Sequence, residues 1–225
     1  MPPASGAPAL LTVAAAWLVY FILHSLLASL GVKDAVARRR PDWVPGYRLA
    51  YNLLALLLIL PPLWLVWRYP GATLWQWTPP WSWLANTAAL VAIGGFIWSL
   101  RFYDGGEFLG LRQLRSAERS VLDQEHFHIS PLHRFVRHPW YLLGLVIIWS
   151  RDMTAAWMVT CLMATLYFIL GSRLEEGKLL RYHGKAYRQY RAAVPALFPL
   201  PWQYLSKSES AELVAEARKT QRASP

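Results

Sequence analysis

At 225 residues, 55% hydrophobic and only 16% charged, with 13 Trp and 11 Tyr, the chain has the wrong composition for a soluble domain or a disordered segment. Its net charge of +10 would suit nucleic acid, but no nucleic-acid motif accompanies it. Basic residues also collect in loops on the inner side of a membrane, where they attract anionic lipid. The single cysteine, Cys161, excludes an intrachain disulfide and a cysteine metal cluster; it lies in an apolar run and reads as a small packing residue.

The run Ala9 to Leu30 predicts a first membrane helix, with His24 and Ser25 inside it. His24 is either a hydrogen-bonded packing residue or a functional group at membrane depth, and both readings stay open. The segment 32–48 is basic, with Lys33, Arg38, Arg39, Arg40 and Arg48 against Asp34 and Asp42. Tyr47 to Trp67 predicts a second helix, kinked near its far end by Pro61-Pro62, whose rings remove backbone donors. Asn52 in its first half suits interhelical hydrogen bonding. The uncharged segment 69–82, with Trp75, Trp77 and Trp81, suits an interfacial loop on the outer side. Trp83 to Leu100 predicts a third helix, where Gly94-Gly95 permits close approach of a neighbour.

The long connection 101–137 mixes six Arg with five acidic residues and includes Asp104. Pro139 suits the first turn of a helix reaching Ser150, and Met153 to Leu170 predicts its return partner across a turn at Arg151-Asp152. The first arm, at about 1.5 Å per residue, is short of a hydrocarbon core of roughly 30 Å, so the hairpin is either re-entrant or a tilted pair. Beyond Gly171 a tail carries ten basic and five acidic residues. Glu175 to Arg191 predicts an amphipathic helix interrupted at Gly184, with Leu179, Leu180, Tyr187 and Tyr190 on the membrane. Residues 206–225 read as a polar tail, either a frayed helix or disorder.

The expected fold is therefore all-α: an integral membrane protein of about five transmembrane helices, the last two a short hairpin, with a cytosolic amphipathic tail. Basic segments 32–48, 101–137 and 171–225 fall on one side and the neutral 69–82 on the other. The positive-inside rule puts the N-terminus outside and the C-terminus in the cytosol. This arrangement gathers Arg137, His138, Glu175 and Glu176 at the cytosolic mouth of the hairpin, with Tyr141 one turn from His138 and Tyr182-His183 two turns beyond the carboxylates.

Arg137-His138-Pro139-x-Tyr141, Glu175-Glu176-x-x-Leu179, Tyr182-His183-Gly184-x-x-Tyr187-x-x-Tyr190 and Val194-Pro195 together resemble the C-terminal signature of the membrane methyltransferases. That group includes the isoprenylcysteine carboxyl methyltransferases and the phospholipid methyltransferases. His24-Ser25-Leu26-Leu27-Ala28-Ser29, Tyr47-Arg48-Leu49-x-Tyr51-Asn52 and Phe108-x-Gly110-Leu111-x-Gln113 resemble the bacterial branch that contains methanethiol S-methyltransferase; membrane proteins associated with nitric-oxide respiration share some of this half.

The resemblance implies one methyltransferase domain over 1–205, in the inner membrane if the source is bacterial, with S-adenosylmethionine as cofactor. It implies His138, Tyr141, Glu175, Glu176, Arg137 and Tyr182 as cofactor contacts. Methyl transfer is an in-line displacement that asks mainly for positioning and exclusion of water. A thiol acceptor must still lose a proton, and His24, Asp104, His126, His128 and His133 are candidates to take it, with Arg137 a further catalytic candidate. The acceptor is a small thiol or a lipid-like molecule; membrane lipids are the other expected contact, and no protein partner is predicted. The family commonly has Gly two residues after the Tyr; here Leu143 stands there and Gly144 follows. One residue rotates a helix by about 100°, so either the helix is overwound or a different face lines the pocket. Two other readings compete: a membrane scaffold or sensor that keeps the fold without catalysis, and a metal protein built on His126, His128, His133 and His138. Membrane metal sites usually contain adjacent His pairs, which this chain lacks, so no metal is expected.

Overall fold

The computed structural model describes residues 6–116 and 127–223. In chain order the elements are α1 (Ala7–Ala28), α2 (Leu30–Arg39), α3 (Val44–Leu58), α4 (Leu60–Arg68), β1 (Thr73–Trp75), α5 (Trp81–Ser99), α6 (Gly105–Leu109), α7 (Leu111–Ser116), α8 (Pro139–Trp149), β2 (Met153–Thr154), α9 (Ala155–Ala193) and α10 (Lys207–Ala223). Four helical stretches are long and apolar enough to cross a membrane: Ala7–Ala28, Pro41–Arg68, Trp81–Phe102 and Ala155–Ala193. The shorter apolar helix Pro139–Trp149 completes the five expected segments. Most of their surface faces outward, as a lipid-facing bundle requires: Leu56 and Leu57 are 65% and 62% exposed.

The described chain divides into two compact units. The first comprises Met1–Ser82, Tyr103–Gln124 and Arg151–Met163; the second comprises Trp83–Phe102, Glu125–Ser150 and Ala164–Pro225. In the first unit, Val13, Trp17 and Phe21 of α1 are buried, as are Pro62 and Val66 of α4 and Met153, Ala156 and Cys161. Trp17 donates its indole N–H to Thr160 Oγ1 at 3.0 Å, so a polar group inside the apolar layer is satisfied. The second span breaks at Ile59, between α3 and α4. Pro61 and Pro62 supply no N–H for the carbonyls one turn earlier, which puts the break just before them. β1 and β2 pair antiparallel, and Asp152 Oδ1 accepts from the Trp77 amide at 2.9 Å. The turn of the α8–α9 hairpin is therefore tied to the 69–82 connection.

In the second unit, α5 offers a stripe of small residues, Ala89, Ala92, Gly95 and Ser99. A Cβ on Gly95 would sit 3.5 Å from Leu143 of α8, and Trp140 donates to Ser99 Oγ at 2.7 Å. Gly94 meets nothing within 4 Å, so only one glycine of the pair serves the contact.

Two expectations need correction. The hairpin's second arm and the amphipathic segment are one helix, α9, without a break at the change from apolar to charged at Arg173. The break falls at Gly184, at φ 50°, as the sequence suggests. The polar tail is helix α10, the helical one of its two expected forms. Its N-terminus is a capping box, Ser206 accepting from the Glu209 amide at 3.2 Å and Glu209 from the Ser206 amide at 2.7 Å. Tyr187 and Tyr190, expected on the membrane, instead form a buried cluster with Phe127, Val194, Leu205 and Ala217, and Leu179 and Leu180 pack against it. The apolar stripe of α9 is covered by protein, because α10 and the 127–130 segment supply partners for it.

Candidate active site

The site lies within the second unit, where the N-terminus of α8 meets the charged part of α9. The apolar stretch of α9 ends at Ser172, so Glu175 and Glu176 stand beyond the membrane-spanning residues. Residues 137 and 138 are fixed by backbone pairing: Arg137 N donates to Pro195 O at 2.9 Å, and His138 N to Ala196 O at 3.0 Å.

Arg137 donates through Nε to Glu176 Oε1 at 2.8 Å, with Nη2 also 2.8 Å from that oxygen. Nη1 donates to the carbonyls of Arg191, at 2.9 Å, and Val194. The guanidinium thus ties the start of α8 to the end of α9. His138, 6% exposed, places Nε2 3.1 Å from Glu176 Oε1 and Nδ1 3.4 Å from Glu175 Oε2. Tyr141 donates its hydroxyl to Glu175 Oε2 at 3.0 Å. The His138 and Tyr141 rings stack at 5.2 Å and 9°, and Tyr141 stacks in turn on Phe168 at 4.7 Å and 4°. Glu176 is buried, whereas the Glu175 side chain is 47% exposed.

The electrostatics follow from these contacts. Burial works against a charged His138, but hydrogen bonds to Glu175 and Glu176 outweigh it and hold the imidazole above its ordinary value of 6.5. Burial likewise works against both carboxylates. Hydrogen bonds from His138, joined by Tyr141 at Glu175 and by Arg137 at Glu176, hold both below the usual range. His133 behaves oppositely. Burial, with His128 and His138 nearby, pushes it down to about 4 against the pull of Glu175. Its Nδ1 is 2.7 Å from Ser130 Oγ, and its carbonyl accepts from Tyr190 OH at 2.7 Å.

Arg137, His138, Tyr141, Glu175 and Glu176 thus meet in one network. Tyr182 lies two turns beyond Glu175 on the same face of α9, its ring 6.4 Å from that of His183. Phe168 is absent from the sequence reading. Its spacing from Glu175, two turns on one helix, marks it only once α9 is read as continuous. Helix α8 is regular, and a Cβ on Gly144 would sit 3.5 Å from Phe168. Gly144, one turn beyond Tyr141, therefore gives Phe168 room to approach α8, and Leu143 turns to α5.

Of the other candidates, His24 and Asp104 belong to the first unit and His128 to the second. His24 Nε2 is 2.7 Å from Tyr51 OH, and Tyr47 OH donates to Leu27 O at 2.6 Å. Asn52 Nδ2 donates to the Phe108 and Leu109 carbonyls at 3.1 and 3.2 Å. Asp104 caps α6, accepting from the Gly106 and Glu107 amides at 2.9 and 3.1 Å, and pairs with Arg112 at 3.0 Å. Gly110 has φ 86°, and a Cβ there would lie 2.6 Å from the Leu49 amide. The three N-terminal sequence stretches thus converge on each other. His126 lies outside the described residues, and among those described no group of three or more His, Cys, Asp or Glu is arranged to hold a metal.

The chain is 33% identical over 193 residues to methanethiol S-methyltransferase of Mycobacterium tuberculosis, covering 83% of this chain and 76% of that protein. It is 30% identical over 188 residues to methanethiol S-methyltransferase 2 of Bradyrhizobium diazoefficiens, covering 80% and 70%. To methanethiol S-methyltransferase of Crocosphaera subtropica it is 28% identical over 189 residues, covering 80% and 71%. No family model matches the chain, and no solved structure matches it. Relatives of this similarity, aligned over most of both chains, show that the protein belongs to the methanethiol S-methyltransferase family of membrane methyltransferases.

Proposed function

We propose that the protein is an integral-membrane methyltransferase that methylates a small thiol with S-adenosylmethionine, bound at the cluster of Glu175, His138, Tyr141 and Phe168. The observation that carries this reading is the inequality of the two carboxylates. Glu176 is buried and engaged by Arg137 and His138, whereas Glu175 is half-exposed and has one oxygen with no hydrogen bond among the described residues. A half-exposed carboxylate beside flat aromatic rings suits a ligand with amino or hydroxyl donors and a positive sulfur centre. Family membership supports the reaction class, and the relatives' names support a thiol acceptor.

When bound, S-adenosylmethionine would supply an electrophilic methyl group, transferred to the thiol sulfur as the bond to the sulfonium sulfur breaks. Glu175 accepts hydrogen bonds from the ligand's amino group or ribose. His138, its imidazole held above its ordinary value by the two carboxylates, orients Glu175. Arg137 is a positioning residue that acts through Glu176. Tyr182 borders the ligand on the Glu175 face of α9. His133 is neutral at neutral pH and held by Ser130, but burial pushes it down to about 4, which makes it a weak base for the thiol proton. Asp104 is spent on a helix cap and an ion pair, and His24 on Tyr51. A cytosolic site is supported by the gathering of basic segments on its side of the membrane.

The test is label transfer. Bilayer-reconstituted protein incubated with methyl-labelled S-adenosylmethionine and methanethiol should release labelled dimethyl sulfide. Label recovered only in lipid, or in no acceptor, would overturn the thiol assignment.

A further inference from the structure

We infer that residues 198–204 are an interfacial anchor, a preformed aromatic loop that seats in the lipid headgroup region where α8 enters the bilayer. The segment Phe198-Pro-Leu-Pro-Trp-Gln-Tyr204 carries no charge, although it lies between two strongly charged stretches. Its large residues point outward: Trp202 is 74% exposed, Phe198 59% and Tyr204 53%. Phe135, also exposed, stacks on Tyr204 at 6.0 Å and 23°, extending the patch.

The loop is built rather than loose. Leu197 and Leu205, at its two ends, are buried. Gln203 N donates to Leu200 O at 3.1 Å, Leu205 N to Arg134 O at 3.0 Å, and Arg134 Nε to Leu205 O at 2.8 Å. A loop already ordered loses little entropy on binding, which favours association through few contacts.

The occupant follows from position and chemistry. Backbone pairing of Arg137 with Pro195 and of His138 with Ala196 sets the start of the loop beside the residues immediately before α8, where the apolar helix begins. That fixes its depth at a bilayer boundary. Trp, Tyr and Phe favour the interface between acyl chains and headgroups, and the basic residues of the flanking stretches suit anionic lipid. A soluble protein partner would require this patch to stand clear of the membrane surface, which its tie to the start of α8 opposes.

The experiment is a depth measurement on the full chain. Cys161 is fully buried and can stay. Nitroxide labels are placed at Trp202→Cys and Tyr204→Cys, with Leu166→Cys on the lipid-exposed face of α9 and Arg188→Cys on its polar part as references. In vesicles of phosphatidylcholine and phosphatidylglycerol, the ratio of collisions with oxygen to collisions with a water-soluble nickel chelate is read. Ratios at 202 and 204 several-fold above that at 188, toward that at 166, are expected. Ratios equal to that at 188, or labels shielded from both reagents by protein, would overturn the anchor.

Discussion

In the first unit the polar side chains of the motif stretches are largely consumed by neighbouring backbone: Asn52 holds two carbonyls, Asp104 two amides, Tyr47 one carbonyl, and Gly110 is a glycine because Leu49 is too close for any side chain. In the second unit Arg137, His138, Tyr141, Glu175 and Glu176 bind mainly one another, and Glu175 is left half-exposed. Both regions are dense in distinctive sequence. Density of motif therefore does not mark the site. What separates them is that the first region's polar groups end largely on backbone, which fixes architecture, whereas the second's bind one another around a half-exposed carboxylate.

The sharpest way to break this contrast is Arg137→Ala. Removing Arg137 leaves the buried Glu176 with His138 alone, at a cost of up to about 3–5 kcal/mol. Thermal unfolding in detergent should show a large drop in Tm, together with weakened cofactor binding; an unchanged Tm would place Arg137 outside the frame. Next comes Gly110→Ala in the first unit. The left-handed conformation alone costs about 1–2 kcal/mol, and the clash with Leu49 adds to it. Here Tm should fall while binding at low temperature survives; loss of binding in folded protein would merge the two regions functionally. Asp104→Ala should cost about 1 kcal/mol, as loss of a helix cap does, again with binding intact.

The smallest expected effect is on pH dependence. His138 sits above 6.5 in the folded protein, so its contribution is fully present below 6.5 and is lost as pH rises through the raised value. Glu175 and Glu176 sit below 4.5, so theirs is present above 4.5 and is lost as pH falls through the lowered values. Stability should therefore peak between those limits, and His138→Gln should flatten the alkaline limb of a Tm profile. An unaltered limb would detach His138 from the carboxylates.

The membrane spans were legible because continuous apolar runs have few alternatives, and the pairing of residues 137–141 with 175–176 was legible from order and spacing. The length of α9 was not. The change from apolar to charged at Arg173 looks like a boundary, yet it marks only where the helix leaves the apolar layer. A helix end placed at that junction hides Phe168, whose relation to Glu175 needs one continuous helix. The burial of Tyr187 and Tyr190 was also hidden, since an apolar stripe does not reveal what covers it. The capping box at Ser206 and Glu209 was readable, and with Leu213, Val214 and Ala217 along one side it marks a helix with a face to bury.

The central claim is that the second unit's network holds the cofactor through Glu175. The direct measurement is calorimetric titration of S-adenosylmethionine and its demethylated product into detergent-purified wild-type protein, Glu175→Gln and Asp104→Asn. The account predicts saturable binding in wild type, at least about tenfold weaker binding in Glu175→Gln from loss of a charge-assisted hydrogen bond, and little change in Asp104→Asn. No binding by folded wild-type protein, or equal binding in Glu175→Gln, would contradict it.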